Sequence, residues 1–343
     1  MRVALDATYS IDRYPSGIAV YSGQLLSALA AEHPEDTFLH CYRPKQFWKA
    51  ARAAQANVRR RVLLPSLPTF RADLFHALNQ RVDKRQTHKV VSTFHDLFVM
   101  TEEYSTPDFR ARFSRQARRA AENSDVIIAV SEFTARQVNS LLGVPLERIR
   151  VVPHGVEMPS ACEAGPREQT ILFVGALQIR KNVIRLVEAF EAMPAGWRLV
   201  LAGASTGFGA EQILQRIHSS TRRSQIEVTG YLSRRDLARL YSRASIFAFP
   251  SLGEGFGIPV LEAMANGIPV VTSNRSALAE VAGEAAWLVD PFEVVEIEHA
   301  LISLIENSEM RSRFAHSGRQ RAELFSWKRA VSETYAVYKE LSG

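Results

Sequence analysis

Short runs of β-branched and aromatic residues alternate with amphipathic stretches along nearly the whole chain, and no other feature narrows the possible folds so far. Residues 3–5, 37–42, 90–94, 126–130 and 149–152 read as buried strands, and 109–123 and 132–142 as helices between the later ones. A weakly patterned stretch, 159–169, rich in Pro, Gly, Ala and Glu, follows the loop Pro153-His154-Gly155-Val156. Alternation then resumes with strands expected at 171–174, 198–201, 227–229, 246–249, 270–272 and 287–289, and an all-helical end from about 293 to 341. Strand–helix alternation implies an α/β architecture, with parallel sheets covered by helices on both faces. Two such series around one linker predict two doubly wound, Rossmann-like domains, 1–158 and 159–325, with a closing helix at 326–343 that packs back toward the first. At 343 residues the chain suits two cores better than one. Ligands of open α/β sheets sit beyond the carboxyl ends of the strands, so two sheets facing across a cleft would put a site in that cleft.

Composition excludes several classes. Cys41 and Cys162 are too few for a disulfide framework and lack the spacing of a zinc site, which fits a reducing compartment. The start, Met1-Arg2-Val3-Ala4-Leu5-Asp6, does not resemble a signal peptide. The longest uncharged span lies between Arg13 and Glu32 and contains Ser16, Gly17, Ser22, Gly23 and Gln24, so it is a poor membrane span. The expectation is a soluble protein. A net charge of +6 reads either as ordinary surface Lys and Arg or as the mark of a polyanionic partner.

Residues 253–262, GEGFGIPVLE, hold the most chemistry. A dinucleotide fingerprint G-x-G-x-x-G would need a third glycine where Ile258 stands. Gly255 and Gly257 let the backbone approach a ligand, and Pro259 suits the first turn of a helix. Free N–H groups there, with the helix dipole, attract an anion. The stretch is therefore either a plain tight turn with exposed glutamates or a diphosphate cradle built without a lysine. Glu254 and Glu262 would lie beside it and one turn further on. Paired carboxylates also serve hydrolases as acid and base, but a glycosidase has no use for an adjacent diphosphate cradle.

The E-x7-E spacing in GEGFGIPVLEAMANGIPVV resembles the donor-site motif of retaining glycosyltransferases of the GT-B fold, most closely glycosyltransferase family 4. Further matches run in order along nearly the whole chain. Ser16-Gly17-Ile18 resembles the N-domain glycine loop, Phe94-His95-Asp96 the N-domain His-Asp motif, and Pro153-His154-Gly155-Val156 the domain junction. Gly175–Asn182, GALQIRKN, resembles the phosphate-binding loop, and Gly230-Tyr231-Leu232-Ser233 the segment lining the nucleobase pocket. The resemblance implies that Glu254 bonds hydroxyls of the donor sugar and Glu262 the nucleotide ribose. It implies that backbone N–H groups of Phe256, Gly257 and Ile258 hold sugar and diphosphate, and that Lys181 neutralises the diphosphate. Many members carry an arginine after the glycine of that loop; here Ala176 stands there, and Arg180 is the substitute. Tyr231 and Leu232 would line the base, and Gly17 would let the opposite domain approach the diphosphate. His95 would face donor sugar and acceptor without serving as a general base, so Glu254, His95 and Lys181 form the expected catalytic set. No Asp-x-Asp pair occurs, and neither metal nor cofactor is expected besides the nucleotide sugar itself.

The stretch 108–123, DFRARFSRQARRAAEN, carries Phe109, Phe113, Ala117, Ala120 and Ala121 on one helical stripe, with Arg110, Arg112, Arg115, Arg118 and Arg119 over much of the rest. It reads as a helix packed on its sheet with a solvated basic face, or as a face toward anionic lipid or a lipid-diphosphate acceptor. The combined expectation is a bacterial, mannosyltransferase-like enzyme moving a hexose to a glycan or lipid-linked glycan in surface-polysaccharide assembly. GDP-mannose is the first donor and a UDP-sugar the second. Its place would be cytoplasmic, with peripheral contact at the inner face of the membrane through the basic N-terminal domain, and without a nucleic-acid partner. Competing readings are a non-catalytic sugar-nucleotide binding protein and an epimerase of the same fold.

Overall fold

The structure, a computed structural model, describes residues 1–11, 16–51, 55–68, 70–159 and 166–343. Cys162 and the middle of the expected linker lie outside the described residues. The chain forms two compact units, Met1–Gly155 with Trp327–Gly343, and Val156–Ser326. The last helix, Trp327–Ser342, therefore belongs to the first unit.

The first unit holds seven parallel strands: β1 (Arg2–Asp6), β2 (Thr37–Tyr42), β3 (Val58–Val62), β4 (Leu74–Ala77), β5 (Lys89–Phe94), β6 (Val126–Ala129) and β7 (Ile149–Val151). Their order is β3-β2-β1-β4-β5-β6-β7. The second unit holds six: β8 (Glu168–Val174), β9 (Arg198–Ala202), β10 (Ile226–Gly230), β11 (Ala244–Phe249), β12 (Val270–Ser273) and β13 (Trp287–Val289), in the order β10-β9-β8-β11-β12-β13. Both units are thus the doubly wound α/β domains expected from the alternation. Helices cover both faces, so inner strands are apolar throughout rather than alternating: Val3, Ala4 and Leu5, or Phe247, Ala248 and Phe249, are fully buried.

Every strand expected in the second unit forms, within three residues at the ends. In the first unit β3 and β4 carried no expectation. β3 reads Val-Arg-Arg-Arg-Val and lies at the sheet edge, where charge blunts an open strand. β4 is only Leu-Phe-His-Ala, and its fully buried His76 breaks the apolar run. Helix starts follow local chemistry. Thr106 caps Pro107–Asn123 through Phe109 N, and Ser131 caps Glu132–Leu142 through Thr134 N. Among the described residues no helix is long and apolar enough to cross a membrane.

Candidate functional site

Counted from β8, the second sheet runs 3-2-1-4-5-6, so its topology reverses between β8 and β11. That switch point is where an open sheet leaves a crevice beyond its strand ends. Neighbouring strands lie about 4.8 Å apart, so the loops leaving β8 and β11 are forced together. The first carries Arg180 and Lys181, the second Glu254. Lys181 Nζ and Arg180 Nη1 each stand 2.6 Å from Glu254 Oε1. Ser251 Oγ donates to the same oxygen at 2.7 Å, while Oε2 takes no hydrogen bond among the described residues.

Several contacts hold this geometry. Arg180 Nη1 donates to Gly253 O at 2.6 Å, and Leu252 N donates to Arg180 O at 2.8 Å. Asn182, in the left-handed region at φ +58°, spreads its Nδ2 between Pro250 O (3.0 Å) and Pro291 O (2.6 Å). Lys181 Nζ lies 4.7 Å over the Phe249 ring. The three charged side chains are each only 11% exposed. Burial alone would push the Glu254 carboxyl up. The charges of Arg180 and Lys181, with hydrogen bonds from Lys181 and Ser251, outweigh it and hold its pKa at about 2. Two cations thus converge on one carboxylate oxygen.

Beyond Glu254 the chain turns through Gly257 into the helix Ile258–Ala265, with Pro259 in its first turn. Gly257 has φ +104°, and a Cβ there would stand 2.5 Å from Leu278 Cδ2, so only glycine fits. The N–H groups of Gly257 and Ile258 find no acceptor among the described residues. Phe256 is buried edge-on against Phe325, with ring centroids 5.9 Å apart. One turn on, Glu262 accepts from Tyr241 Oη at 2.8 Å. Burial raises its pKa, the Tyr241 hydrogen bond offsets part of that, Glu157 raises it further and Arg234 lowers it.

The remaining strand ends continue the same edge. Gly203 N, after β9, donates to Gly230 O at 3.0 Å, and a Cβ on Gly203 would fall 2.0 Å from Gly175 O. The loops after β8, β9 and β10 therefore pack backbone to backbone. Tyr231, 42% exposed, and the half-buried Leu232 follow β10 at the far end of this row. Glu254, Arg180, Lys181, Phe256, Gly257, Ile258, Glu262, Tyr231 and Leu232 thus share one unit and one edge of its sheet.

Gly17 and His95 belong to the first unit. Gly17, exposed, opens the helix Gly17–Glu32, capped by Ser16 through Ala19 N at 3.4 Å. His95 follows β5 and is 7% exposed. Its Nε2 donates to Leu78 O at 2.9 Å, which leaves Nδ1 as acceptor 3.4 Å from His154 Nε2. Burial pushes its pKa down to about 4, the Leu78 contact opposing, so the ring is neutral at pH 7. The edge of Tyr21 meets His95 at 4.9 Å between centroids, and the Tyr21 ring lies 4.8 Å from His154. Tyr21 Oη joins Thr93 Oγ1 (3.0 Å), Thr93 Oγ1 joins His76 Nε2 (2.8 Å), and His76 Nδ1 joins Tyr338 Oη (2.6 Å). A buried polar chain therefore runs from the last helix to the two histidines.

Sequence reasoning missed Ser251, Asn182 and Tyr241, which orient the second unit's charged groups, and His76, Thr93, Tyr21 and Tyr338. Only Asn182 lies in a motif, as the last residue of Gly175–Asn182, and no role was expected of it there. The one legible signal was His154, inside the Pro-His-Gly-Val loop. Among the described residues no group of three or more His, Cys, Asp or Glu is placed to hold a metal ion.

Comparison with known proteins agrees with this architecture. The Glycosyltransferase Family 4 model matches residues 15–158 and the Glycosyl transferases group 1 model residues 161–321. O-antigen chain mannosyltransferase B of Escherichia coli is 29% identical over 293 residues, 80% of this chain and 76% of that protein. The serotype-specific mannosyltransferase WbdA of Escherichia coli is 31% identical across 70% of this chain, which covers 32% of that longer protein. The MMP alpha-(1->4)-mannosyltransferase of Mycolicibacterium hassiacum is 31% identical across 66% of this chain and 57% of its own length. Among solved structures, a sucrose-phosphate synthase from Thermosynechococcus elongatus superimposes with TM-score 0.83 at 20% identity over 99% of both chains. The lipopolysaccharide glycosyltransferase WaaG does so with TM-score 0.73 at 15% identity over 98% of both. Those two likenesses speak for the fold. The two family models adjoin and together span nearly the whole chain, so it belongs to the GT-B glycosyltransferases, with a family 4 N-terminal domain and a group 1 C-terminal domain.

Proposed function

We propose that the protein is a retaining, metal-independent hexosyltransferase that takes mannose from GDP-mannose and gives it to a hydroxyl of a growing glycan, free or lipid-linked, in surface-polysaccharide assembly. The observation that carries this reading is the convergence of Arg180 and Lys181 on Glu254 at the switch point of the second sheet. Two buried cations side by side suit a diphosphate, and Glu254 Oε2 is the oxygen left for a sugar hydroxyl. Amides of Phe256, Gly257 and Ile258 would complete the cradle. The strand ends from β11 to β10 span three gaps, about 14 Å. A nucleotide sugar laid along them puts its sugar at Glu254, its ribose near Glu262 and its base near Tyr231 and Leu232.

In the transfer step the bond from the anomeric carbon to the diphosphate oxygen breaks, and the bond to the acceptor oxygen forms on the same face. The departing phosphate oxygen takes the acceptor's proton. Arg180 and Lys181 stabilise the charge that grows on that oxygen. No protein base is needed, which suits His95, whose one acceptor nitrogen, Nδ1, faces His154 Nε2. In this reading His95 and Gly17 take positioning roles and transfer no proton. Mannose is favoured by the names of the relatives in Escherichia coli and Mycolicibacterium hassiacum.

A thermal-shift screen against GDP, UDP, ADP and dTDP tests the donor. Nucleotide at 100 times its Kd adds about 2.7 kcal/mol of stability. GDP should shift the midpoint most; a UDP preference would move the donor to a UDP-sugar. Transfer from GDP-mannose should survive EDTA and give an α-linked product. Loss of activity in EDTA, or a β product, would remove the mechanism. Tight nucleotide binding without transfer or donor hydrolysis would leave a sugar-nucleotide binding protein.

A further inference from the structure

Among the described residues two that are not glycine, Asn182 at φ +58° and Ser276 at φ +56°, adopt the left-handed backbone. Asparagine tolerates that region through its short, locally bonding side chain; serine is less suited, and glycine would sit there without strain. A strained residue persists where its surroundings over-determine it. Ser276 opens the short helix Ser276–Ala282 after β12, and it faces the Glu254 turn. Its Oγ accepts from Glu254 N at 3.1 Å, and the next residue, Ala277, donates its N–H to Glu254 O at 3.2 Å. One dipeptide therefore takes both backbone polar groups of Glu254. The residue after it, Leu278, carries the methyl that a Cβ on Gly257 would strike at 2.5 Å. Residues 276–278 thus form the bed on which 254–257 lies.

The second strained residue braces the same turn from the other loop. Asn182 fastens Pro250 and Pro291 through its Nδ2, and its Oδ1 accepts from Arg185 Nη1 at 3.0 Å. The Arg185 guanidinium lies 5.3 Å over the ring of Phe292, and that of Arg275, the residue before Ser276, lies 5.1 Å over the same ring. A continuous set of contacts therefore joins the two strained residues. With its N–H and C=O both bonded to 276 and 277, Glu254 has its carboxylate directed at Arg180, Lys181 and Ser251.

We infer that Ser276 is a positioning residue for the transfer step. Its hydroxyl, set by the left-handed backbone, fixes the peptide of Glu254 and with it the carboxylate that meets the donor sugar. The inference rests on the reading of Glu254 as the group that touches that sugar. It has a consequence that a purely structural residue would not share: strain follows the backbone while positioning follows the hydroxyl, so stability and activity separate at this position.

Three single variants of the full chain test it. Ser276→Ala and Ser276→Gly both lose the hydroxyl, so both should lower kcat for hexose transfer by at least about tenfold. Glycine relieves the strain, so Ser276→Gly should melt about 2–4 °C above Ser276→Ala. Ser276→Thr keeps the hydroxyl at a φ that β-branched residues avoid, so it should melt lowest of the three and keep most of the wild-type kcat. GDP affinity by calorimetry should stay close to wild type throughout. In a Glu254→Gln background Ser276→Ala should bring no further loss of kcat, because the hydroxyl acts through that carboxylate. Activity that follows the order of stability, glycine above alanine above threonine, would overturn the inference. So would wild-type kcat in Ser276→Ala, an undiminished further loss in the Glu254→Gln background, or a fall in GDP affinity that matches the fall in kcat. If Ser276→Thr does not fold, Ser276→Gly decides alone, since glycine eases the backbone and a lost kcat then belongs to the hydroxyl. A wild type that moves no hexose from any nucleotide sugar would instead remove the functional reading, and the inference with it.

Discussion

Replacing Glu254 by glutamine keeps the shape of the side chain and removes the charge that Arg180 and Lys181 both face. The magnitude follows from the carboxyl itself. Its pKa stands at about 2 against an ordinary 4.5, and at about 1.4 kcal/mol per unit this corresponds to about 3 kcal/mol at neutral pH. An independent route gives the same scale, since removing one partner of a buried ion pair costs about 3–5 kcal/mol. For a unit of this size the midpoint should fall by roughly 6–12 °C. Because the folded pKa is depressed, this stability is fully present above pH 4.5 and drains away as pH falls toward 2. Thermal or urea unfolding of wild type and Glu254→Gln should therefore show a gap that is full at pH 7 and closes in acid. Other acid-sensitive groups affect both proteins alike and cancel in the difference. A diphosphate brings its own anions, so GDP should raise the midpoint of the variant more than that of the wild type, while kcat drops about 10²-fold or more. Equal stability at pH 7, or a gap that stays constant into acid, would show that Glu254 does not hold the two cations.

Three further outcomes follow from the geometry. Gly257→Ala puts a Cβ against Leu278 at a strained φ, so it should cost about 1–3 kcal/mol of stability and weaken nucleotide binding by calorimetry; wild-type affinity would show that the turn is not part of the cradle. Tyr338→Phe leaves His76 Nδ1 buried without its partner, which should cost about 1–3 kcal/mol in chemical denaturation, and a silent variant would mean that the polar chain bears no load. Burial lowers the pKa of His40 to about 4, of His76 to about 3, of His95 to about 4 and of His154 well below 6.5, with the neighbouring His95 also lowering the last and His76. Their stability is fully present above pH 6.5 and is lost as pH falls toward 4, so hydrogen exchange should show the first unit opening before the second near pH 5; the reverse order would overturn it.

What could be read from sequence divides along physical lines. Strands buried on both faces announce themselves as apolar runs, which is why β9, β11 and β12 of the second sheet were legible, while its edge strands β10 and β13 were read from their short β-branched or aromatic stretches between helices. The doubly wound class and the turn at 253–262 were legible as well. β3 and β4 escaped because their residues answer to neighbours distant in sequence. Arg60 is tolerable in β3 only because Phe47 takes its guanidinium, and His76 in β4 only because Thr93 and Tyr338 satisfy both ring nitrogens. The motif residues of the second unit lie together because β8 and β11 are adjacent, a pairing that alternation alone does not specify. Ser251 and Tyr241 were invisible for the same reason, and Asn182, though inside a motif, had no role that the motif stated: each is an ordinary polar residue until the strand order brings it to Glu254, to Glu262, or to Pro250 and Pro291.

Ala176 sharpens this point. An arginine after the loop glycine would have supplied a cation directly at the end of β8, and here that position holds a methyl group. The charge arrives from four residues further on. The loop packs down under Gly203, whose missing Cβ allows backbone contact with Gly175, and then closes a tight turn in which Lys181 N donates to Gln178 O. That turn sets Arg180 and Lys181 side by side, and the Arg180 carbonyl anchors Leu252 on the other loop. The same residue therefore fixes the distance between the two loops through its backbone and supplies half the positive charge through its side chain. Separating the two roles is possible in one experiment. Arg180→Gln keeps the backbone contact and removes the charge, so it should weaken binding of nucleoside diphosphates by about 10-fold or more while leaving nucleoside monophosphates nearly unaffected. An equal loss for both would mean that Arg180 holds the loops and does not read the second phosphate.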